Sequence, residues 1–228
     1  MSPGPLVDPA DVPGWLSGLV AATAGLDASA LTRVRPPGGL PTRPAAVLML
    51  LGDGEDGPDV LLTRRADTLN SHPGQVAFPG GRADEGDDGP VGTALREAEE
   101  EAGVLAAGVR PVALLPELFV PVSSFLVTPV LAQWERPSPV RVVDPAETAA
   151  VARVPIAHLT DPANRFRVRH PSGFTGPAFA APGMLVWGFT AGLLAGLVRL
   201  AGWERPWNTA DVRDLDESLR AASAEVQA

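Results

Sequence analysis

Two apolar runs, "AAVLMLLG" at 45–52 and "DVLLTRR" at 59–65, lie on either side of the polar stretch "DGEDGP". That order predicts a β-hairpin with a charged, glycine-containing loop. "QVAFPGG" at 75–81 reads as a short strand ending in glycines. Thr93 to Ala102 is rich in Ala, Leu, Glu and Arg, all good helix formers, and Gly103 stands where a helix would stop. "VRPVALLPELFV" and "SFLVTPVLAQW" supply further strands, and "ETAAVARVPIAHL" runs from an extended segment into a short helix. Asp11 followed by Pro13 marks the start of a helix to about Ala24, and "RPPGGLPTRP" is a connector. Met184 to Leu200 reads as a buried C-terminal helix, with a helical or frayed tail beyond Trp207. Strands surround helices without a regular βαβ alternation, so the expected fold class is α/β (α+β), a mixed sheet with helices on its faces.

Composition narrows the chemistry. The 228 residues carry a net charge of −9, which argues against a nucleic-acid binder. A phosphorylated small molecule is compatible with that charge if a metal supplies the positive counterpart. There is no cysteine, which removes disulfides, thiolate metal sites and a Cys nucleophile. There is no lysine either, so a P-loop is impossible and basic phosphate recognition falls to Arg. The N-terminus lacks the pattern of a signal peptide, and the longest apolar stretch, Met184 to Val198, is shorter than the ~20 residues of a membrane span. The expectation is a cytoplasmic protein with no membrane partner.

The segment "GGRADEGDDGPVGTALREAEEEAGV" at 80–104 concentrates acid behind a double glycine. On a helix, residues three and four apart share a face, so Glu97, Glu100 and Glu101 project together while Glu99 points elsewhere. Taken alone, such a run is a solvated helix face. The alternative is that the carboxylates bind a hard divalent cation, Mg²⁺ or Mn²⁺, which prefers oxygen ligands. Gly80-Gly81 permits a tight turn that brings a backbone carbonyl near such an ion.

Arg96-Glu97-Ala98-Glu99-Glu100-Glu101-Ala102-Gly103-Val104 resembles the second half of the Nudix box, R-E-U-x-E-E-x-G-U. The first half departs: five residues after Gly81 comes Asp87 in place of Glu, and eight rather than seven residues then precede Arg96. Upstream, "LLTRRA" at 61–66 and "GQVAFPGG" at 74–81 look like the motif of the coenzyme A pyrophosphatase branch, with Asn70 where that motif has Arg. The resemblance spans about Ala45 to Leu200. It implies a Nudix-like α/β/α sandwich over residues 41–203, with an N-terminal helical arm and linker at 1–40 and a C-terminal tail at 204–228.

The resemblance further implies a hydrolase that cleaves the diphosphate of coenzyme A to adenosine 3′,5′-bisphosphate and 4′-phosphopantetheine. Other substrates remain open at this point: NADH, ADP-ribose or a dinucleoside polyphosphate, or a Nudix-fold module without catalysis. The implied metal ligands are Glu97 and Glu101, with Glu100 completing the site and a Gly80 or Gly81 carbonyl adding to it. Arg96 locks the helix through an ion pair, or belongs to the catalytic set. Glu147 is a candidate base or a surface carboxylate. Arg64 and Arg65 meet substrate phosphate or face solvent. The expected partner is a nucleotide substrate, bound by a monomer or homodimer.

Overall fold

The structure, a computed structural model, describes residues 2–32, 34–36, 41–69 and 72–225. Asn70 lies outside the described residues. The chain opens with β1 (Gly4–Pro5) and α1 (Gly14–Ala22). The predicted hairpin follows as β2 (Arg43–Gly54) and β3 (Gly57–Arg65), closed by the pair Gly54 and Gly57.

"QVAFPGG" forms two strands rather than one, β4 (Val76–Ala77) and β5 (Gly80–Arg82). The break falls at Phe78-Pro79, where proline has no N–H to donate to a ladder. Each piece takes a different neighbour: β4 pairs with β3 and β5 with β2. The acidic helix, α2 (Gly89–Ala102), begins four residues before Thr93 because Pro90 sits in its first turn, where a missing N–H costs nothing. Gly103 ends it in the left-handed region (φ 70°), its N–H donating to the Glu99 carbonyl at 2.9 Å.

"VRPVALLPELFV" likewise divides at Pro116, into β6 (Val109–Leu114) and β7 (Leu118–Val120). Then come β8 (Phe125–Trp134), β9 (Thr148–Pro155), α3 (Ile156–Leu159), β10 (Arg165–Arg169) and β11 (Thr175–Ala181). The stretch expected as one helix from Met184 is β12 (Met184–Val186), an extended Trp187, then α4 (Gly188–Leu200). The tail adds β13 (Val212–Asp214) and α5 (Leu215–Glu225).

Where one sheet was expected there are two. The larger runs β1-β6-β8-β2-β3-β4, with β5, β7 and β9 pairing onto β2, β8 and β3. It is mixed, because β2 and β8 are parallel from Arg43–Phe125 to Leu51–Gln133. The smaller runs β12-β11-β10-β13. Strand periodicity divides the core: Ala46, Leu48, Leu50 and Leu61 face α2, whereas Met49, Leu51, Val60 and Leu62 face α1 and α4. The helix meets the sheet through Ala94, Ala98 and Ala102, whose small side chains let its backbone lie close to the strands. No helix among the described residues is long and apolar enough to cross a membrane.

Candidate active site

Helix α2, the β5 bend and the end of β3 converge on one carboxylate pair. Glu101 is mostly buried, and burial together with the neighbouring Glu97 pushes its pKa up to about 7. Arg65, the Gly80 amide and the Thr63 hydroxyl oppose that shift, and Thr63 Oγ1 lies 3.3 Å from Glu101 Oε2. Glu97 is also raised, chiefly by burial, against the opposing pull of Arg96. Two acids one turn apart in a partly dry site are held there at an electrostatic cost.

The double glycine makes this packing possible. A Cβ on Gly81 would lie 2.6 Å from Glu97 Cδ and 2.7 Å from its Oε2. A Cβ on Gly80 would collide with the Ala46 carbonyl oxygen and lie 2.6 Å from Val47 Cα. Both residues therefore serve close approach, one to the carboxylate and the other to β2.

Arg96 organises the remainder. Its Nε and Nη2 grip Asp87 at 2.9 and 3.1 Å, Nη1 donates to Glu97 and Glu100 at 3.0 Å each, and Nη2 also reaches the Arg82 carbonyl at 3.0 Å. These five contacts occupy all five guanidinium N–H donors. Arg96 thus positions the loop and the helix, and has no donor left for a substrate phosphate. Asp87 accepts in addition from Thr93 Oγ1 at 2.8 Å and from the Asp84 amide at 2.9 Å, and Arg96 holds its carboxyl well below the usual carboxylate range. The loop acid that the box motif leaves undefined is a tether for Arg96 and the first turn of α2.

The remaining candidates separate. Glu100 is exposed, and its Oε2 shares Arg96 Nη1 with Glu97 Oε1, each at 3.0 Å. Among the described residues no three acidic or histidine side chains form a ready-made metal cage. Arg64 and Arg65 lie on opposite faces of β3. Arg65 shares the α2 face with Thr63 and acts on Glu101, whereas Arg64 pairs with Asp67 at 2.6 Å on the other face. Glu147 occupies the exposed turn before β9, and its carbonyl accepts from the Ala66 amide at 2.8 Å. Thr63 was not singled out from sequence, although period-two alternation along "LLTRR" places it beside Arg65.

A cavity of about 360 Å³ at the start of α2 is lined by Asp84, Asp87 and Glu117. That acidic wall repels a polyanionic ligand, which disfavours it as a phosphate site.

The arrangement of acidic helix, glycine bend and mixed sheet is that of a NUDIX domain: the family model of that name matches residues 41–172, over half of the chain, and the chain belongs to this family. Nudix hydrolase 22, chloroplastic, of Arabidopsis thaliana is 36% identical over 159 residues, which cover 66% of this chain and 52% of that protein. The Nudix hydrolase NudL of Yersinia enterocolitica is 51% identical over 74 residues, covering 32% of this chain and 37% of NudL. The chain thus spans about half of the plant relative and little over a third of NudL. Among solved structures, the Nudix hydrolase RenU of M. smegmatis aligns over 73% of this chain and 89% of its own, at 20% identity and a TM-score of 0.48.

Proposed function

We propose that this protein is a metal-dependent hydrolase of diphosphate linkages and that its substrate is coenzyme A or a derivative. The observation that carries the reading is the Glu97–Glu101 pair, buried against a glycine bend with Arg65 beside it. Like charges crowded at a cost make chemical sense when a cation neutralises them.

The donor set fits Mg²⁺ or Mn²⁺, being all oxygen with no thiolate available. Glu97, Glu101 and the Gly81 carbonyl would hold the ion, with Glu100 able to join by leaving Arg96. A bound divalent cation supplies neutralisation of diphosphate charge and lowers the pKa of a water. The chain's own groups do the rest. Arg65 presents a guanidinium toward the diphosphate, Thr63 and the Gly80 amide hold Glu101 in place, and Arg96 fixes the helix edge. In the reaction, a P–O bond forms to water oxygen, the bridging P–O bond breaks, and the water's proton passes to a carboxylate.

Coenzyme A is favoured by the sequence "LLTRRA…GQVAFPGG", whose Thr63, Arg65, Gly80 and Gly81 all border the carboxylate pair. The test is a panel of coenzyme A, acyl derivatives, NADH, ADP-ribose and a dinucleoside polyphosphate, assayed with Mg²⁺ or Mn²⁺ and with products weighed by mass spectrometry. Release of adenosine 3′,5′-bisphosphate from coenzyme A as the fastest reaction is expected. Release of AMP from ADP-ribose or NADH at a higher kcat/KM would move the substrate assignment. Cleavage of none would end the reading.

A further inference from the structure

Arg65 differs from the other cations around the carboxylates. Arg64 pairs with Asp67, and Arg96 with Asp87, Glu97 and Glu100. No carboxylate among the described residues pairs with Arg65, and its Nε is buried without a hydrogen-bond partner. A buried donor left unmatched is costly, and native proteins keep few of them. The unmatched guanidinium lies on the face that holds the acids. Thr63, which reaches Glu101 Oε2 at 3.3 Å, precedes Arg65 by two residues, about 7 Å along the same face of β3.

The neighbouring strand brings a second unmatched group to the same place. β3 and β9 pair in regular register from Asp59–Pro155 to Arg64–Ala150, and the next step takes Arg65 to Thr148. One step on β3 therefore spans two on β9, and Ala149 is the extra residue of a bulge. A regular ladder would set the Ala149 methyl opposite Arg65, whereas the bulge sets Thr148 there. Residues directly opposite in an antiparallel pair share a face, with Cβ atoms about 4.5–5.5 Å apart. Thr148 is thus on the α2 face beside Arg65. It is only 2% exposed, and its hydroxyl has no hydrogen-bond partner among the described residues.

The turn before β9 fixes this placement from three directions. Asp144 Oδ1 accepts from the Ala146 amide at 2.8 Å, and the Asp144 carbonyl accepts from the Glu147 and Thr148 amides at 3.1 and 2.9 Å. On the helix side, the Arg141 amide donates to the Ala102 carbonyl at 3.1 Å and the Val143 amide to that of Glu101 at 3.5 Å. On the β3 side, the Ala66 amide donates to the Glu147 carbonyl at 2.8 Å. Residues 141–148 therefore run from the backbone of Glu101 to that of Arg65 and form one wall of the site. Donors held in place before a ligand arrives lose little freedom on binding it.

We propose that Thr148 is a substrate-binding residue, its hydroxyl and the Arg65 guanidinium together donating to one non-bridging oxygen of the substrate's diphosphate. The proposal rests on the diphosphate reading above for the identity of the ligand. Two donors on facing strands suit an acceptor-only group, and a phosphoryl oxygen has lone pairs for both. The oxygen so held lies beside Glu101, which the bulge at Ala149 makes possible by exchanging a methyl for a hydroxyl.

The experiment compares wild type with Thr148→Val, which keeps the branched shape and removes the hydroxyl, and with Thr148→Ser, which keeps the hydroxyl. Methylenediphosphonate, which cannot be hydrolysed, is titrated as its Mg²⁺ complex into Mg²⁺-saturated protein by calorimetry, beside Mn²⁺ affinity and a thermal melt. Thr148→Val should bind it about tenfold more weakly or worse, and Thr148→Ser within about threefold of wild type. Mn²⁺ affinity should not change, and Tm in Thr148→Val should equal or exceed that of wild type, because the lost hydroxyl had no partner. Thr148→Ala takes its place in the binding comparison should the valine variant fail to fold. Wild-type diphosphonate affinity in Thr148→Val, or a loss matched by weaker Mn²⁺ binding and a lower Tm, would overturn the proposal. So would failure of the wild type to bind the diphosphonate while it still cleaves coenzyme A, an outcome that leaves the catalytic reading intact. Diphosphonate binding that needs the hydroxyl, in a protein that cleaves no diphosphate, would sink the catalytic reading and leave the Thr148 site standing.

Discussion

Adding one methyl group at Gly81 tests the site more sharply than removing a carboxylate. The new Cβ of Gly81→Ala would sit 2.6 Å from Glu97 Cδ, whereas carbon atoms settle about 3.5–4.0 Å apart, so the carboxylate must retreat by about 1 Å. It is not free to do so. Its Oε1 is held by Arg96 at 3.0 Å, and Arg96 is itself held by the two-pronged grip on Asp87. Overpacking of this kind costs about 1–3 kcal/mol. For a domain of this size that lowers Tm by about 2–4 °C for each kcal/mol. A misplacement of 1 Å at a reacting centre lowers turnover by about 100-fold. The assay is kcat for diphosphate cleavage beside a thermal melt, with Gly18→Ala as the control, since a Cβ there meets nothing within 4 Å. The control should be as stable as wild type or more so, because alanine favours a helix over glycine by up to about 1 kcal/mol. Wild-type kcat and Mn²⁺ affinity in Gly81→Ala would refute the claim that Glu97 works from its position against the bend.

Arg96→Gln should lower kcat about tenfold or more, and adding Asp87→Asn should cost little further, because the two residues act as one unit; additive losses in a double-mutant cycle would show them independent. Glu101 holds its proton to about pH 7 in the folded chain against an ordinary 4.5, so its contribution favours the folded state at low pH and is withdrawn as pH rises across that window, by about 3 kcal/mol at most. In denaturant titrations without metal, wild type should therefore lose stability relative to Glu101→Gln between pH 4.5 and about 7, and a gain there would contradict the burial argument. Metal binding needs the ionised carboxylate, so the rise in Tm from Mn²⁺ should be larger at pH 8 than at pH 5.5. Trp207→Ala removes one face of the ring pair around Arg165 and should cost about 1–2 kcal/mol, read as faster proteolysis of the chain beyond Glu204; unchanged cleavage would mean the ring does not hold that segment.

The elements with a strong period were legible from sequence. The two apolar runs form the strands of the β2–β3 hairpin, and α2 ends at Gly103 as its composition implies. Prolines and glycines were harder, because their effect is tertiary. Pro79 and Pro116 each divide a run that reads as one strand: at Pro79 the partner changes from β3 to β2, whereas at Pro116 both pieces stay on β8. The second sheet escaped because its strands are built from unlike materials: "RFRVR" alternates Arg with apolar residues, while "TGPAFAA" carries glycine and proline inside a strand. Met184–Val186 is apolar enough for a helix and becomes a strand because β11 offers it a partner.

At the site, helical spacing brings Glu97 and Glu101 together but does not foretell that Glu100 would turn to Arg96, since spacing carries no information about a side chain's competing partners. Asp87 was identifiable as an oddity of the motif, and its role emerges only from the five-donor arrangement of Arg96. The opposition of Arg64 and Arg65 was implicit in strand alternation, though the binding consequence required knowing what covers each face.

That opposition gives the hairpin a function as a ruler. Gaining or losing one residue between Gly57 and Thr63 would turn every later side chain of β3 over, delivering Arg64 to the acids and hiding both Thr63 and Arg65. Natural variants of this protein should therefore keep the span of β3 constant to the residue.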